Sequence, residues 1–203
     1  IVQWLGRRLG GFDPISLVLA GIVVSATFAA AIMLLQHLVP HGLRDDLVGW
    51  MMGRIAWSLP AGVIVASSIG VGLAGAAGIW HATALDASCL GAEEARSVGV
   101  PINRLRIILL LSGGGLAALA VVLAGPIAFV GLVAPHAARI VVGARHRLLV
   151  PGSLLAGAIM LLLAETVRQG VDLGGGRLPI GVLTALVGGP AFLLLLMRRE
   201  RMQ

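Results

Sequence analysis

The chain has 203 residues, of which 58% are hydrophobic and only 12% are charged, and its mean hydropathy is +1.00. Soluble domains carry about 25% charged residues, so this composition excludes an ordinary water-soluble fold and indicates a membrane protein. The net charge of +6 comes entirely from arginine. These arginines flank apolar runs and form no basic face, which argues against nucleic-acid binding. Because the sequence has no lysine, it has no P-loop. If the protein depends on ATP, another chain must bind the ATP.

The single cysteine, Cys89, excludes an internal disulfide and a cysteine-cluster metal site, and we expect no bound cofactor. The chain begins with Ile1 instead of methionine. We therefore expect it to be part of a longer protein.

Long apolar stretches follow one another along the chain. A helix that crosses about 30 Å of hydrocarbon needs about 20 mainly apolar residues. In chain order, the predicted membrane spans are 15–39, 59–80, 105–124, 126–142, 148–167 and 179–197. The expected fold class is all-α, a polytopic membrane helix bundle that forms one transmembrane domain over residues 1–203.

The stretch GPIAFVGLVAPHAARIVVG, residues 125–143, decides the topology, because it is apolar but contains two prolines. Cytoplasmic loops collect arginine. If this stretch does not cross, the arginines divide seven against eight between the two sides; if it crosses, they divide eleven against four. We therefore predict six crossings with both ends cytoplasmic, and a helix broken near Pro135, which lacks a backbone N–H. The four arginines placed outside are Arg44, Arg54, Arg168 and Arg177.

The polar connections then fall on alternate sides. Residues 40–58 and 168–178 lie outside, and 81–104 lie inside. The inner connection contains an amphipathic run, AEEARSV, with Glu93 and Glu94 at its start and Arg96 later, as the helix dipole prefers. A short helix here could pass a conformational change to a soluble partner, or it could be a plain connector.

Few polar side chains fall inside the predicted spans. Glu165 is the deepest acid, and pairing with Arg168 is favoured over a proton-relay role. His136 and Arg139 lie one helical turn apart on a common face. They could border a pathway or a docking surface, or they could simply reach the lipid headgroups.

Several segments resemble one family, the FecCD-like permeases of type II ABC importers for iron-siderophores, haem and cobalamin. LGAEEARSVGVP (90–101) is similar to the family's cytoplasmic loop. The stretch 125–143 followed by HRLLVPGSLLAG resembles its strongest signature, and LPIGVLTALVGGPAFLLLL (178–196) resembles its last helix. LAGIVVSA (19–26) and WMMGRIAW (50–57) match segments from the middle of the family's chain.

The resemblance implies a ten-helix permease of which this chain is the C-terminal six-helix portion. It implies several partners: ABC ATPase subunits, expected as a homodimer; an extracytoplasmic substrate-binding protein; and a second permease unit that is identical, paralogous or fused. The surrounding partner is membrane lipid, and no nucleic acid is expected.

The resemblance also assigns roles to particular residues. The ATPase-coupling segment would contain Leu90, Gly91, Glu93, Glu94, Ala95, Arg96 and Gly99. The gate or pathway would include Leu19, Ala20, Gly21 and Ser25. The broken-helix signature comprises Gly125, Pro126, Gly131, Pro135, His136 and Arg139. Binding-protein docking falls to Arg168 or Arg177, because the family's AD-x-x-x-R pattern appears here as AETVRQ, with the arginine one residue early.

The implied function is that of a transmembrane permease subunit moving an iron-siderophore-type chelate by alternating access. It would act in the bacterial cytoplasmic (inner) membrane with its C-terminus cytoplasmic, and it would not itself be an enzyme. The alternatives are a cobalamin or haem importer, a permease for free metal ions, and an integral membrane enzyme. A metal-ion permease would need converging ligands inside the membrane, for which only His136 and Glu165 are candidates.

Overall fold

A computed structural model of the chain describes residues 14–170 and 178–200. Apolar runs without strand-like alternation form helices throughout this part, and no strand occurs in it, which confirms the all-α prediction. The helices are α1 (Pro14–Leu38), α2 (His41–Met51), α3 (Ala61–Trp80), α4 (Ala82–Ser88), α5 (Ala92–Ser97), α6 (Ile102–Ala124), α7 (Val130–Val142), α8 (His146–Gly170) and α9 (Ile180–Glu200).

The chain divides into two compact units, Ile1–Val48 and Gly49–Gln203. In the described part of the first unit, α1 is a 25-residue apolar helix. The Arg44 side chain donates hydrogen bonds to the carbonyl oxygens of His37 and Val39, at 3.1 and 3.2 Å. A cation at this position satisfies carbonyl groups that the end of α1 leaves without helical partners.

Four of the described helices are long and apolar enough to cross a membrane: Val18–Leu38, Ala61–Trp80, Ile102–Ala124 and His146–Gly170. Val130–Val142 and Ile180–Leu193 are shorter apolar helices. Large apolar side chains cover the exposed surfaces of these helices, as expected where the solvent is lipid.

Helices α7 and α8 form an antiparallel pair joined by the short link 143–145. Two glycines of α8 let the helices approach closely, as small residues do between membrane helices. A Cβ on Gly152 would lie 3.1 Å from Val142 Cγ2, and one on Gly157 would lie 3.7 Å from Ala134 Cβ. The two helices therefore run side by side along the whole of α7.

The predicted break at Pro135 is wrong in position. Helix α7 runs through Pro135, and the interruption precedes it, at the non-helical residues 125–129. Pro135 is the sixth residue of α7, and the first four N–H groups of a helix have no helical partner in any case. At the sixth position, the missing N–H of Pro135 removes one intrahelical hydrogen bond, the one to the carbonyl of Gly131. Gly131 has no side chain that could add to the crowding around the proline ring.

Three glycines hold the ends of α6 and α9 against the segment 50–54, and we call this contact the glycine junction (Gly53, Gly125, Gly181). The N–H of Gly181 donates to the carbonyl of Met52 at 3.1 Å, and the N–H of Arg54 donates to that of Ala124 at 2.7 Å. Gly53 and Gly125 have positive φ angles of 81° and 74°. A Cβ on Gly125 would collide with the Trp50 carbonyl oxygen, and one on Gly181 with the Met52 carbonyl oxygen.

Candidate coupling segment and translocation sites

The predicted cytoplasmic coupling loop, residues 85–103, which we call the coupling segment, lies between two long apolar helices and includes most of α4 and all of α5. Gly91 precedes α5 with φ 136°, a conformation that side-chain-bearing residues rarely adopt. The Glu94 carboxylate folds back over Gly91, in the place that a Cβ on this residue would occupy. An acid at the third helical position commonly reaches back in this way to the start of its helix. Gly91 is therefore fixed by both backbone conformation and space.

One side of α5 is anchored and the other is free to meet a partner. Ala95 is fully buried, and its carbonyl accepts the N–H of Val100 at 3.0 Å. The loop turns back at Gly99, where φ is 83°. In contrast, Leu90 and Val98 are 78% and 70% exposed. Two exposed apolar side chains that flank a charged helix are the composition of a protein-docking surface.

The charged residues of α5 complete this exposed surface. Arg96 Nη1 donates to Glu93 Oε1 at 2.7 Å, and both side chains are largely exposed. An exposed i,i+3 pair adds little stability, so its charges remain available to a partner. We name the surface formed by Leu90, Glu93, Arg96 and Val98 the α5 ridge.

Asp86 of α4 makes a long-range contact that sequence reasoning missed. Its Oδ1 accepts the backbone N–H of His146 at 3.0 Å and lies 2.6 Å from His146 Nδ1. The His146 N–H holds the pKa of the Asp86 carboxyl below its ordinary value, and the imidazole and Arg145 act in the same direction. The only sequence signal was an acid in a cytoplasmic loop, with nothing to indicate its partner.

The structure places His136 and Arg139 on the exposed face of α7, beside Leu132 and Ile140. The opposite face is buried through Ala134 and Ala138, which lie toward α8. The two polar residues therefore share a surface that faces away from the α7–α8 contact.

At the far end of α8, Arg168 is bound to Glu165. Arg168 Nη2 lies 2.6 Å from Glu165 Oε1, and its Nε lies 2.9 Å from Oε2. Gln169 Nε2 also donates to Glu165 Oε1 at 3.0 Å. The two charged side chains are only 11% and 18% exposed. The predicted pairing is confirmed, and it occupies the guanidinium that was a candidate for docking.

The other candidate docking residue, Arg177, lies outside the described residues. An arginine that the sequence analysis did not select offers an alternative on the same predicted side. Arg54 is exposed, and its backbone is fixed by the glycine junction. A cation on a rigid backbone costs less ordering entropy on docking than one on a mobile loop.

Phe129 is the residue directly before α7, its N-terminal cap, and has a left-handed conformation with φ 65°. Its ring lies 6.5 Å from that of Phe192, centroid to centroid, and its Cβ occupies the space that a side chain at Gly188 would need. Beside it, α7, α8 and α9 enclose a cavity of about 250 Å³ whose lining carries no charged group. Its one hydroxyl, from Thr184, donates to the carbonyl of Gly181 at 3.1 Å. This cavity therefore offers no group for a charged ligand.

The candidate gate residues lie early in α1, in the first compact unit. Leu19 and Ser25 are exposed, Gly21 is half-buried, and Ala20 is buried. Among the residues described, no group of three or more His, Cys, Asp or Glu side chains could hold a metal ion. The predicted coupling segment lies between α3 and α6. The Glu165–Arg168 pair lies near the end of α8, and the glycine junction joins α6 and α9 to residues 50–54.

Comparisons with known proteins place these features in a family. The model of the FecCD transport family matches residues 1–198. The hemin transport system permease protein HmuU of Yersinia pestis is 36% identical over 95% of this chain and 57% of its own length. The iron(3+)-hydroxamate import system permease protein FhuG of Bacillus subtilis is 36% identical over 93% and 55%.

A solved structure described as an inward-facing metal-chelate type ABC transporter has a TM-score of 0.80 and 32% sequence identity. The match covers 92% of this chain and 61% of that one. The matches thus cover more than half, but less than two thirds, of the length of each of these three relatives. These relatives are named as permeases and transporters, not as enzymes, and four long apolar helices fit an integral membrane protein. On this evidence, the chain belongs to the FecCD transport family.

Proposed function

We propose that this chain is the C-terminal portion of a permease subunit of an ABC importer that moves an iron-siderophore-type chelate across the bacterial inner membrane. The observation that carries the proposal is the α5 ridge: exposed Leu90 and Val98 flank a charged helix whose other side is anchored by buried Ala95. In a family of transport permeases, this surface suits an ATPase subunit. The chain itself contributes no ATP site, because it has no lysine for a P-loop.

The proposed mechanism is alternating access. A binding protein docks outside and releases the chelate into the cavity between two permease units. Nucleotide binding closes the ATPase subunits, and the movement enters the permease through residues 90–101. The candidate gate residues in α1 would then open or close the inner end of the pathway.

We propose that the stretch 125–143 crosses the membrane as a short non-helical segment followed by helix. The 13 residues of α7 span about 20 Å, which is less than the hydrocarbon thickness. Residues 125–129 add a non-helical segment that starts at buried Gly125. Non-helical backbone is tolerated at membrane depth where protein covers it. With this crossing, both chain ends are cytoplasmic.

The substrate is the least constrained part of the proposal. The named relatives include a hemin permease, a hydroxamate permease and the molybdate import system permease protein MolB of Haemophilus influenzae, which is 33% identical over 91% of this chain and 54% of its own length. The hydroxamate relative supports the siderophore assignment, and the equally similar hemin relative makes haem the second candidate. Titrating the cognate binding protein with ferric hydroxamate, hemin, cobalamin and molybdate distinguishes them.

The permease assignment is tested by replacing Gly91 with Val and Arg96 with Glu in the full-length subunit. Both changes alter the coupling segment, the first through the positive φ angle and the second through charge. We expect the ATPase to bind less tightly and the binding protein to stimulate hydrolysis less. If association and stimulated hydrolysis are unchanged, the coupling assignment is wrong. An integral membrane enzyme would instead show turnover in the purified subunit alone.

A further inference from the structure

Asp86 joins the coupling segment to a membrane-spanning helix at a point that the family resemblance does not mark. It lies in α4, and its partner His146, which is 60 residues later, is the first residue of α8. One carboxylate oxygen meets both the backbone N–H and the ring Nδ1 of His146. Among the described residues, it is the one side-chain hydrogen bond between the coupling segment and a distant helix.

The contact has the chemistry of a helix cap supplied by another helix. The first N–H groups of α8 have no partner within the helix. The Asp86 carboxylate satisfies one of them and places a negative charge at the positive end of the helix dipole. Arg145, directly before α8, adds attraction to the same carboxylate. Moving Asp86 away would therefore leave the start of α8 without this acceptor.

The start of α8 is also in close contact with the helix that leads into the coupling segment. A Cβ on Gly78 of α3 would lie 3.2 Å from Val150 Cγ1, and one on Gly75 would lie 3.5 Å from Leu154 Cδ1. Only His81 separates α3 from α4, and it is the C-terminal cap of α3 and the N-terminal cap of α4. Helix α8 thus touches the coupling segment through Asp86 and touches α3, which leads into that segment, through Gly75 and Gly78.

Helix α8 can carry a displacement across the membrane. Its 25 residues extend over about 37 Å, and the Glu165–Arg168 pair lies near the end opposite His146. Because α7 packs along it, the two helices would move together. A shift of α4 that pulls on His146 would therefore reach the α7–α8 pair directly, in addition to the covalent routes through α3 and α6.

We infer that Asp86 is a positioning residue that transmits movement of the coupling segment to the N-terminus of α8. The inference rests on the proposed function, since it requires an ATPase that moves the coupling segment. Coupling between distant sites is carried by contacts that connect packed elements, such as a hydrogen bond between two helices. Loss of the Asp86–His146 contact is expected to uncouple ATP hydrolysis from transport, so that more ATP is hydrolysed for each chelate transported.

The test uses the complete importer in proteoliposomes: the full-length permease, its ATPase and its binding protein. Wild type is first offered ferric hydroxamate, hemin and cobalamin, and the chelate that it takes up serves as the probe. The variants are Asp86→Ala, Asp86→Asn, His146→Ala and the double variant Asp86→Ala/His146→Ala. Thr83→Ala is the matched control, because Thr83 is an exposed residue of the same helix.

We expect Asp86→Ala to raise the ATP hydrolysed per chelate transported by about fivefold or more, the lower end of typical coupling effects. ATPase association and KM for ATP should stay at wild-type values. Asp86→Asn should be intermediate, because its amide oxygen can still accept the His146 N–H, and the double variant should equal Asp86→Ala. Thr83→Ala should match wild type.

A merely structural cap predicts a different result. Uptake and hydrolysis would then fall together, in proportion to the amount of folded importer, and the ratio would not change. That outcome, measured with Asp86→Asn if Asp86→Ala does not accumulate, overturns the inference while leaving the proposed function standing. If wild type takes up none of the chelates and binds no ATPase, the proposed function fails, and the inference fails with it.

Discussion

Arg168 donates two hydrogen bonds to Glu165, at 2.6 and 2.9 Å, and both side chains are largely buried. An arginine held in this way is a structural residue of α8 before it is a docking residue. The finding shifts attention on the predicted outer face from Arg168 to Arg54, whose side chain is exposed.

We expect Arg168→Ala to lower the free energy of unfolding by about 3 kcal/mol, because it removes both guanidinium bonds from a largely buried carboxylate. Arg54→Ala should leave stability unchanged but weaken binding of the substrate-binding protein by about fivefold. Thermal unfolding in detergent and titration with the binding protein measure the two effects. If Arg168→Ala weakens docking more than Arg54→Ala in equal amounts of folded protein, the assignment is reversed.

Two neighbouring glycines of α9 provide a matched pair. A Cβ at Gly188 would collide with the Phe129 side chain, whereas one at Gly189 would lie 3.7 Å from Phe129 Cζ, an ordinary contact. Gly188→Ala should therefore destabilise the protein by about 2 kcal/mol through overpacking, and Gly189→Ala should be neutral or stabilising. Melting temperatures of the two variants check this. Equal melting temperatures would mean that Phe129 does not pack against Gly188 as described.

The Asp86 carboxylate gives a prediction for pH. Its pKa is lowered from the ordinary value of 3.8, chiefly by the His146 N–H. A lowered folded-state pKa stabilises the protein above the unfolded value, and this contribution is lost as the pH falls through the folded value. The stability advantage of wild type over Asp86→Asn should thus be constant from neutral pH to about pH 5 and should shrink only below 3.8. A difference that disappears between neutral pH and pH 5 would assign the effect to another group.

The proposed six-crossing topology would place the coupling segment and the link 143–145 on the cytoplasmic side. Cys89 is an exposed free cysteine. A membrane-impermeant thiol reagent should therefore label Cys89 in inside-out vesicles and not in intact cells. In a Cys89→Ser background, a cysteine replacing Ala144 should behave in the same way, and one replacing Ser58 should show the opposite pattern. Labelling of the first two from opposite sides would mean that 125–143 does not cross.

The helices and the Glu165–Arg168 pair could be predicted from the sequence because both depend on local information. Long apolar runs indicate spans regardless of their neighbours, and residues three apart on a helix meet without tertiary help. The family resemblance depends on local motifs as well. Each of these expectations needed only residues close together in the chain.

The other contacts could not be predicted, since they join distant segments. Asp86 and His146 are 60 residues apart, and the glycine junction brings together 50–54, 125 and 181. The break in 125–143 was misplaced for a related reason. The cost of Pro135 depends on where α7 begins, and that start is fixed by Phe129 packing against α9.

The α5 ridge is the surface that we propose binds an ATPase subunit, and Leu90 is its most exposed large apolar residue. The measurement is the Kd between the full-length permease in nanodiscs and its ATPase, for Leu90→Asp against the neighbouring control Cys89→Ser. We expect Leu90→Asp to weaken binding at least about tenfold, as loss of an apolar anchor does, and Cys89→Ser to match wild type. Wild-type affinity in Leu90→Asp would mean that the α5 ridge is not the surface that binds the ATPase.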